Sequence, residues 1–121
     1  MVEKIKSFAD LVAWQEAHRL VIIIYRITKD FPKEELFGLV NQMRRAAIST
    51  SSNIAEGFGR ETNKDKSHFY VMARTSVVEI QNQLLAARDI GYLKQKNFTL
   101  AAGQTIKVSK LINGLIKKVK Y

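Results

Sequence analysis

The chain has 121 residues, 46% of them hydrophobic, and no cysteine. That is enough to bury one core but not two; the apolar share excludes global disorder, and the missing thiols exclude a disulfide framework, a thiolate nucleophile and cysteine-ligated zinc. The net charge of +9 is lopsided, since residues 1–89 carry 13 basic and 11 acidic side chains whereas residues 90–121 carry seven lysines and no acid, which points to a polyanionic partner, nucleic acid ahead of anionic lipid, or to a basic surface that only solubilises.

The longest unbroken apolar run, Leu20 to Tyr25, is far below the roughly 20 residues of a membrane span. Residues 1–7 lead into a charged amphipathic segment and not into a signal-peptide core. The expectation is a soluble cytoplasmic protein without a membrane partner.

Ser7 to Asp10 has the Ser-x-x-Asp form of a helix start. From there Leu11, Trp14, Ala17, Val21 and Ile24 follow a three-four spacing, while Leu20, Ile22, Ile23 and Tyr25 fill the other faces. A helix apolar nearly all round is expected to be buried twice, once in its own bundle and once against another subunit. Asp30-Phe31-Pro32 closes helix one and opens helix two, whose inward stripe is Leu36, Leu39, Met43, Ala46 or Ala47, Thr50 and Ile54. Gly57 and Gly59 are expected to end it in the left-handed conformation.

Within helix two, Ser49 to Asn53 are five consecutive hydroxyl or amide residues. Such side chains compete for the backbone and weaken a helix, so they need a packing or contact reason. Thr62 to Asp65 repeats the capping signature and opens helix three, with Phe69, Ala73, Ser76 or Val77, Ile80, Leu84 and Ala87 inward and Val71, Val78 and Leu85 on another side. Gly91-Tyr92 punctuates. Helix four then turns Val108, Leu111 or Ile112, Leu115 and Val119 inward, with Lys107, Lys110, Lys117 and Tyr121 opposite. Gly114 within it costs about 1 kcal/mol relative to alanine, which predicts a frayed end or a close approach there. No alternation of strand type or internal repeat interrupts the pattern. The fold expected is all-α: a single domain, residues 1–121, forming an antiparallel up-down-up-down four-helix bundle with helices near 8–29, 33–57, 63–90 and 95–119.

Phe8, Leu11, Trp14, the run Phe31-Pro32-Lys33-Glu34-Glu35-Leu36 with Gly38-Leu39, Gln42 with Arg44-Arg45-Ala46, Ser49, and Asn53-Ile54-Ala55-Glu56-Gly57 together resemble the four helix bundle protein family. Its members are encoded in intervening sequences of bacterial large-subunit ribosomal RNA genes and are related to the accessory protein of diversity-generating retroelements. The resemblance continues through Phe69, Ala73, Arg74, Ser76, Glu79 and Gln83 to Gly91-Tyr92-Leu93, nearly the whole chain. It implies a bundle protomer assembling into a ring, commonly a pentamer with a central passage. It also implies an activity limited to binding, of nucleic acid and, in the retroelement relatives, of a reverse transcriptase, with no cofactor and no catalysis. Five copies would carry about +45, a field able to capture nucleic acid by counterion release.

The candidate nucleic-acid-binding residues are Lys107, Lys110, Lys117, Lys118 and Lys120, a set without acids nearby in sequence, together with Arg44 and Arg45. A solvated face is the plainer reading of the lysines, and a salt bridge to Glu56, Glu79 or a neighbouring subunit that of the arginines. Ser49, Ser52, Asn53, Glu56, Gly57 and Glu79 are the candidate structural or assembly residues, with Asn53 and Glu56 expected to reach helix three near Ser76 and Glu79. His18 and His68 show no metal-ligand spacing, and Trp14 suits a core or interface better than a base-stacking platform. The leading function is an oligomeric RNA- or DNA-binding protein of low sequence specificity. The alternative is an adaptor that docks a protein partner such as a reverse transcriptase. An enzyme is the weakest class, because no motif joins a nucleophile, a base and an oxyanion donor.

Overall fold

The structure, a computed structural model, describes residues 4–120. Tyr121, expected on the polar side of the last helix, lies outside them.

The first capping box forms as its sequence predicts: Ser7 Oγ accepts the Ala9 N–H at 3.2 Å, and the Asp10 carboxylate accepts the N–H groups of Lys6 and Ser7 at 2.9 and 3.1 Å. It opens only a 3-10 turn, Phe8–Asp10, because Leu11 takes an extended conformation. Helix α1 is therefore Val12–Thr28 and not 8–29. It buries Ala13, Ala17, Leu20, Val21, Ile24 and Ile27. Leu20, assigned from sequence to an outer face, is fully buried, whereas Trp14 is half-buried between Phe8 and His18.

The second helix departs most from expectation. Residues 33–57 do not form one α-helix: Lys33–Glu35 is a 3-10 turn, Leu36–Val40 is wound as a π-helix with Gly38 outside helical space, and α2 proper is Asn41–Phe58. Glu35 is the cause. Its carboxylate accepts the Leu39 N–H at 3.3 Å and the Tyr92 hydroxyl at 3.0 Å, and it lies 2.9 Å from where a Cβ on residue 38 would stand. The same carboxylate, with burial and Glu34 adding to it, holds the Tyr92 phenol above its usual pKa. Leu36, expected inward, is exposed, and Phe37 is 90% exposed.

Helix α2 buries Met43, Ala46, Ala47, Thr50, Ser51, Ile54 and Gly57. Its polar run spends hydroxyls on its own backbone, Thr50 on Ala46 at 2.9 Å and Ser51 on Ile48 at 3.1 Å, so burying them leaves no donor unpaired. The left-handed ending expected of Gly57 and Gly59 is absent: Gly57 is helical, and Gly59 has φ −79°. The Lys66 ammonium instead bonds the Phe58 carbonyl at 2.7 Å, a cation on the negative end of the helix.

Thr62 caps α3, Asn63–Ile90, by accepting the Asp65 N–H. Gly91, at φ 99°, ends it in the left-handed region, and the Tyr92 N–H returns to the Ala87 carbonyl at 2.9 Å. Tyr70 is buried in the place expected for Phe69, which is half-buried. Helix α4, Gln95–Lys118, buries Ala101, Thr105, Val108 and Ile112. Gly114 neither frays nor crowds it, since the helix continues to Lys118 and a Cβ at 114 would meet nothing within 4 Å.

The helices pack α1 on α2, α2 on α3, α3 on α4 and α4 back on α1. This all-helical packing is compatible with a four-helix bundle. No helix among the described residues is long and apolar enough to cross a membrane.

Gly57 sets the closest approach of α2 and α3, because a Cβ there would stand 2.6 Å from Tyr70 Cε1 and 3.1 Å from Phe69 Cβ. Overpacking of this kind costs about 1–3 kcal/mol, against a gain of about 1 kcal/mol in helix propensity. Gly57→Ala is thus expected to lower stability by up to about 2 kcal/mol in urea unfolding; an unchanged midpoint would show that the seam yields without cost.

Candidate nucleic-acid interface

The residues proposed for assembly divide in two when placed on the fold. Ser49, Asn53 and Gly57 serve the protein's own α2–α3 seam: Ser49 Oγ meets Ser76 Oγ at 3.0 Å, and the Asn53 amide donates to Ser49 Oγ and to its carbonyl at 3.1 and 2.9 Å. Asn53 therefore reaches α3 only through Ser49. Glu56 does not reach it; it pairs with Arg60 of its own helix end at 3.2 Å, both side chains exposed. Ser52 is exposed, lining with Phe8, Ala55 and Glu56 a surface cleft of about 460 Å³. Glu79 is exposed and accepts a 3.4 Å hydrogen bond from Gln83, whose own carbonyl oxygen is buried without a partner.

Arg44 and Arg45 do not pair with Glu56 or Glu79. Arg44 lies across the Tyr25 ring, its Cζ 4.6 Å from the centroid, and donates to Thr28 Oγ1 at 3.0 Å and the Tyr25 carbonyl at 3.4 Å. Thr28 Oγ1 is itself fixed by the Ile24 carbonyl at 2.7 Å. The guanidinium is thus oriented by α1 and keeps donors to spare. Arg45 is exposed one residue on. Both arginines line a cleft of about 560 Å³ with Tyr25, Phe37, Asn41 and Ile48. Sequence reasoning missed Phe37 and Tyr25 as site residues. The available signal was that Phe37 falls outside the register of Leu39, Met43 and Ala46.

The lysines separate as well. Lys107 is not free of acids: its ammonium lies 3.6 Å from Glu16, which α1 brings across to α4. Glu16 also pairs with Arg19 at 3.4 Å and accepts the Gln104 amide at 3.0 Å. That hydrogen bond, then Arg19 and Lys107, hold the Glu16 carboxyl below its usual value against the opposing pull of desolvation. Lys110 and Lys118 flank a cleft of about 290 Å³ that also contains Asp10, whose carboxylate is occupied by the N–H groups of Lys6 and Ser7. Lys117, Lys118 and Lys120 are exposed and form no ion pair among the described residues. Two of them close α4, where cations also favour the helix end.

Both histidines are exposed, His18 stacked on Trp14 at 4.8 Å and His68 edge-on to Phe69 at 5.5 Å. Among the described residues no group of three His, Cys, Asp or Glu side chains stands ready for a metal.

Residues 9–114 match the family model described as 23S rRNA-intervening sequence protein. No curated protein matches the chain. Among solved structures it is similar to a protein of unknown function from the S23 ribosomal protein family of Bacteroides thetaiotaomicron, at a TM-score of 0.81 and 19% identity, with 88% of this chain and 96% of that one covered. A likeness at that identity concerns the fold.

The Glu16 site predicts a pH dependence. A carboxyl held low in the folded chain contributes stability that is present above its unfolded value and is lost as pH falls through the folded one. Between about pH 6 and pH 3, wild type should lose more stability than Glu16→Gln, by less than about 1 kcal/mol because Arg19 and Lys107 are exposed. Parallel urea-unfolding series would show it, and identical slopes would mean that Glu16 is not held by this cluster.

Proposed function

The chain belongs to the 23S rRNA-intervening sequence protein family, and on that footing we propose that it is a non-enzymatic, oligomeric nucleic-acid-binding protein of the cytoplasm, a single-domain up-down-up-down bundle that takes RNA or DNA through a basic surface. The observation that carries this reading is the lysine set at the end of α4: Lys117, Lys118 and Lys120 are exposed and without ion pairs among the described residues, in a quarter of the chain that contains no acid. Lysine contacts to phosphate position a strand without reading its bases, so affinity is salt-dependent and specificity low. Lys107 contributes less, being shared with Glu16.

Oligomerisation rests on a second observation. Val71, Val78 and Leu85, expected from sequence on a face away from the core, are exposed at seven-residue intervals along α3, a strip suited to a second copy. A ring needs two different surfaces on every copy. The α3 strip and the Ser52–Glu56 cleft at the far end of α2 supply them, with the number five following from the family resemblance. The same strip would serve an adaptor that docks a protein partner. That alternative is favoured if a nuclease-treated pull-down recovers one specific protein.

Fluorescence anisotropy with unrelated RNA and DNA strands tests the binding surface. Lys117→Gln/Lys118→Gln should reduce the slope of log affinity against log salt by about two and weaken all sequences alike, whereas Lys107→Gln should reduce it by less than one. Absence of any binding by wild type at low salt would refute the reading. For assembly, Ser52→Leu fills a position that the protomer leaves exposed, so sedimentation should show a smaller species with an unchanged helical spectrum. An unaltered assembly would remove Ser52 from the interface.

A further inference from the structure

We infer that the cleft between α1, the Leu36–Val40 segment and α2 is a stacking site for an unpaired nucleobase, so that the protein prefers single-stranded over duplex nucleic acid. This deepens the nucleic-acid reading and rests on it. Three features of the cleft point there. Its rim carries Phe37, 90% exposed, a side chain that the fold turns out into solvent although burying it would stabilise the protomer. Its wall carries the Tyr25 ring with the Arg44 guanidinium laid across it, a flat cationic platform held in place by Thr28. Its lining contains both arginines, Asn41 and Ser49 and no carboxylate.

The ligand chemistry follows from that combination. Aromatic surface favours a planar apolar partner, two guanidiniums without an acid favour an anion, and an amide and a hydroxyl offer bonds to base edges. A nucleotide in an unpaired strand meets all three requirements, because its base presents a π-face and its phosphate a charge. A duplex does not, since its bases are stacked inward. The carboxylate of Glu79 lines the adjoining groove, which shares Phe37, Asn41, Arg45 and Ser49 with this cleft, and there it accepts a hydrogen bond from Gln83. The site differs in kind from the lysine surface at the end of α4, which would hold either form of nucleic acid.

The test uses full-length protein at low salt with fluorescently labelled single strands and a duplex of equal length, in wild type, Phe37→Ala, Phe37→Tyr, Arg45→Gln and Lys117→Gln/Lys118→Gln. The expected result is tighter single-strand binding by wild type. Phe37→Ala should lose about tenfold for single strands, with duplex affinity and the salt slope unchanged, and Phe37→Tyr should restore it. Arg45→Gln should weaken single-strand binding and reduce the salt slope by about one. Because Phe37 is exposed, its variants should keep the wild-type melting temperature, which circular dichroism checks. If wild type binds both forms equally and Phe37→Ala changes neither, the stacking site is wrong while the lysine surface stands. If wild type binds neither form, both readings fall. If Phe37→Ala instead dissociates the oligomer and leaves strand affinity intact, a second copy covers the cleft and the inference is overturned.

Discussion

The close approach of α2 to α3 is the constraint on which the rest of this protein depends. Two helices come this near only where small residues face each other, and here Gly57 lies beneath Tyr70 while Ser49 meets Ser76 hydroxyl to hydroxyl. The polar run Ser49 to Asn53, which weakens a helix in isolation, becomes intelligible in that setting. Its buried hydroxyls are satisfied within the helix, and its small volumes let large side chains elsewhere, Met43, Ile54, Ile80 and Leu84, fill the core. A larger residue in the seam would push α3 outward and with it α4, which packs on its other side.

A second constraint decides what the protein exposes. Glu35 ties the entry of α2 to Tyr92, beyond the end of α3, by a 3.0 Å hydrogen bond, and the same carboxylate caps the Leu39 N–H next to the non-helical Gly38. The distortion is local, but it breaks the register of the second helix just before Asn41. Leu36 leaves the inward stripe, and Phe37, already outside that stripe, stands beside Tyr25, Arg44 and Arg45. The irregular segment Leu36–Val40 thus forms one wall of the cleft against α1 and α2.

Charge follows a similar logic. The lysines of α4 form one set in sequence, yet their environments differ according to which helix lies opposite. Glu16 reaches Lys107 because α1 packs on α4, while Lys117, Lys118 and Lys120 lie past its reach at the end of the helix. The +9 charge is therefore divided into a part consumed within the fold and a part available to a polyanion, and only the second part supports binding.

Much of the helical pattern was legible from local chemistry: the Thr62 cap, the three-four apolar spacing and Gly91 each depend on neighbours within a few residues, so sequence alone determined them, whereas the Ser7 cap formed but opened only a 3-10 turn. It also determined the charge asymmetry, the absence of thiol chemistry and the family, whose model matches residues 9–114. Tertiary structure decided what depended on partners distant in the chain. Glu35 and Tyr92 are 57 residues apart and set the break at Gly38; Gln104 and Glu16 are 88 apart and set the fate of Lys107. Gly57 shows the difference in a single residue: its sequence context suggests a left-handed helix end, but it is conformationally ordinary, and the steric demand of Tyr70 is what requires a glycine there. Spacing along a helix reports which side chains share a face, but not what the opposite helix will place against that face.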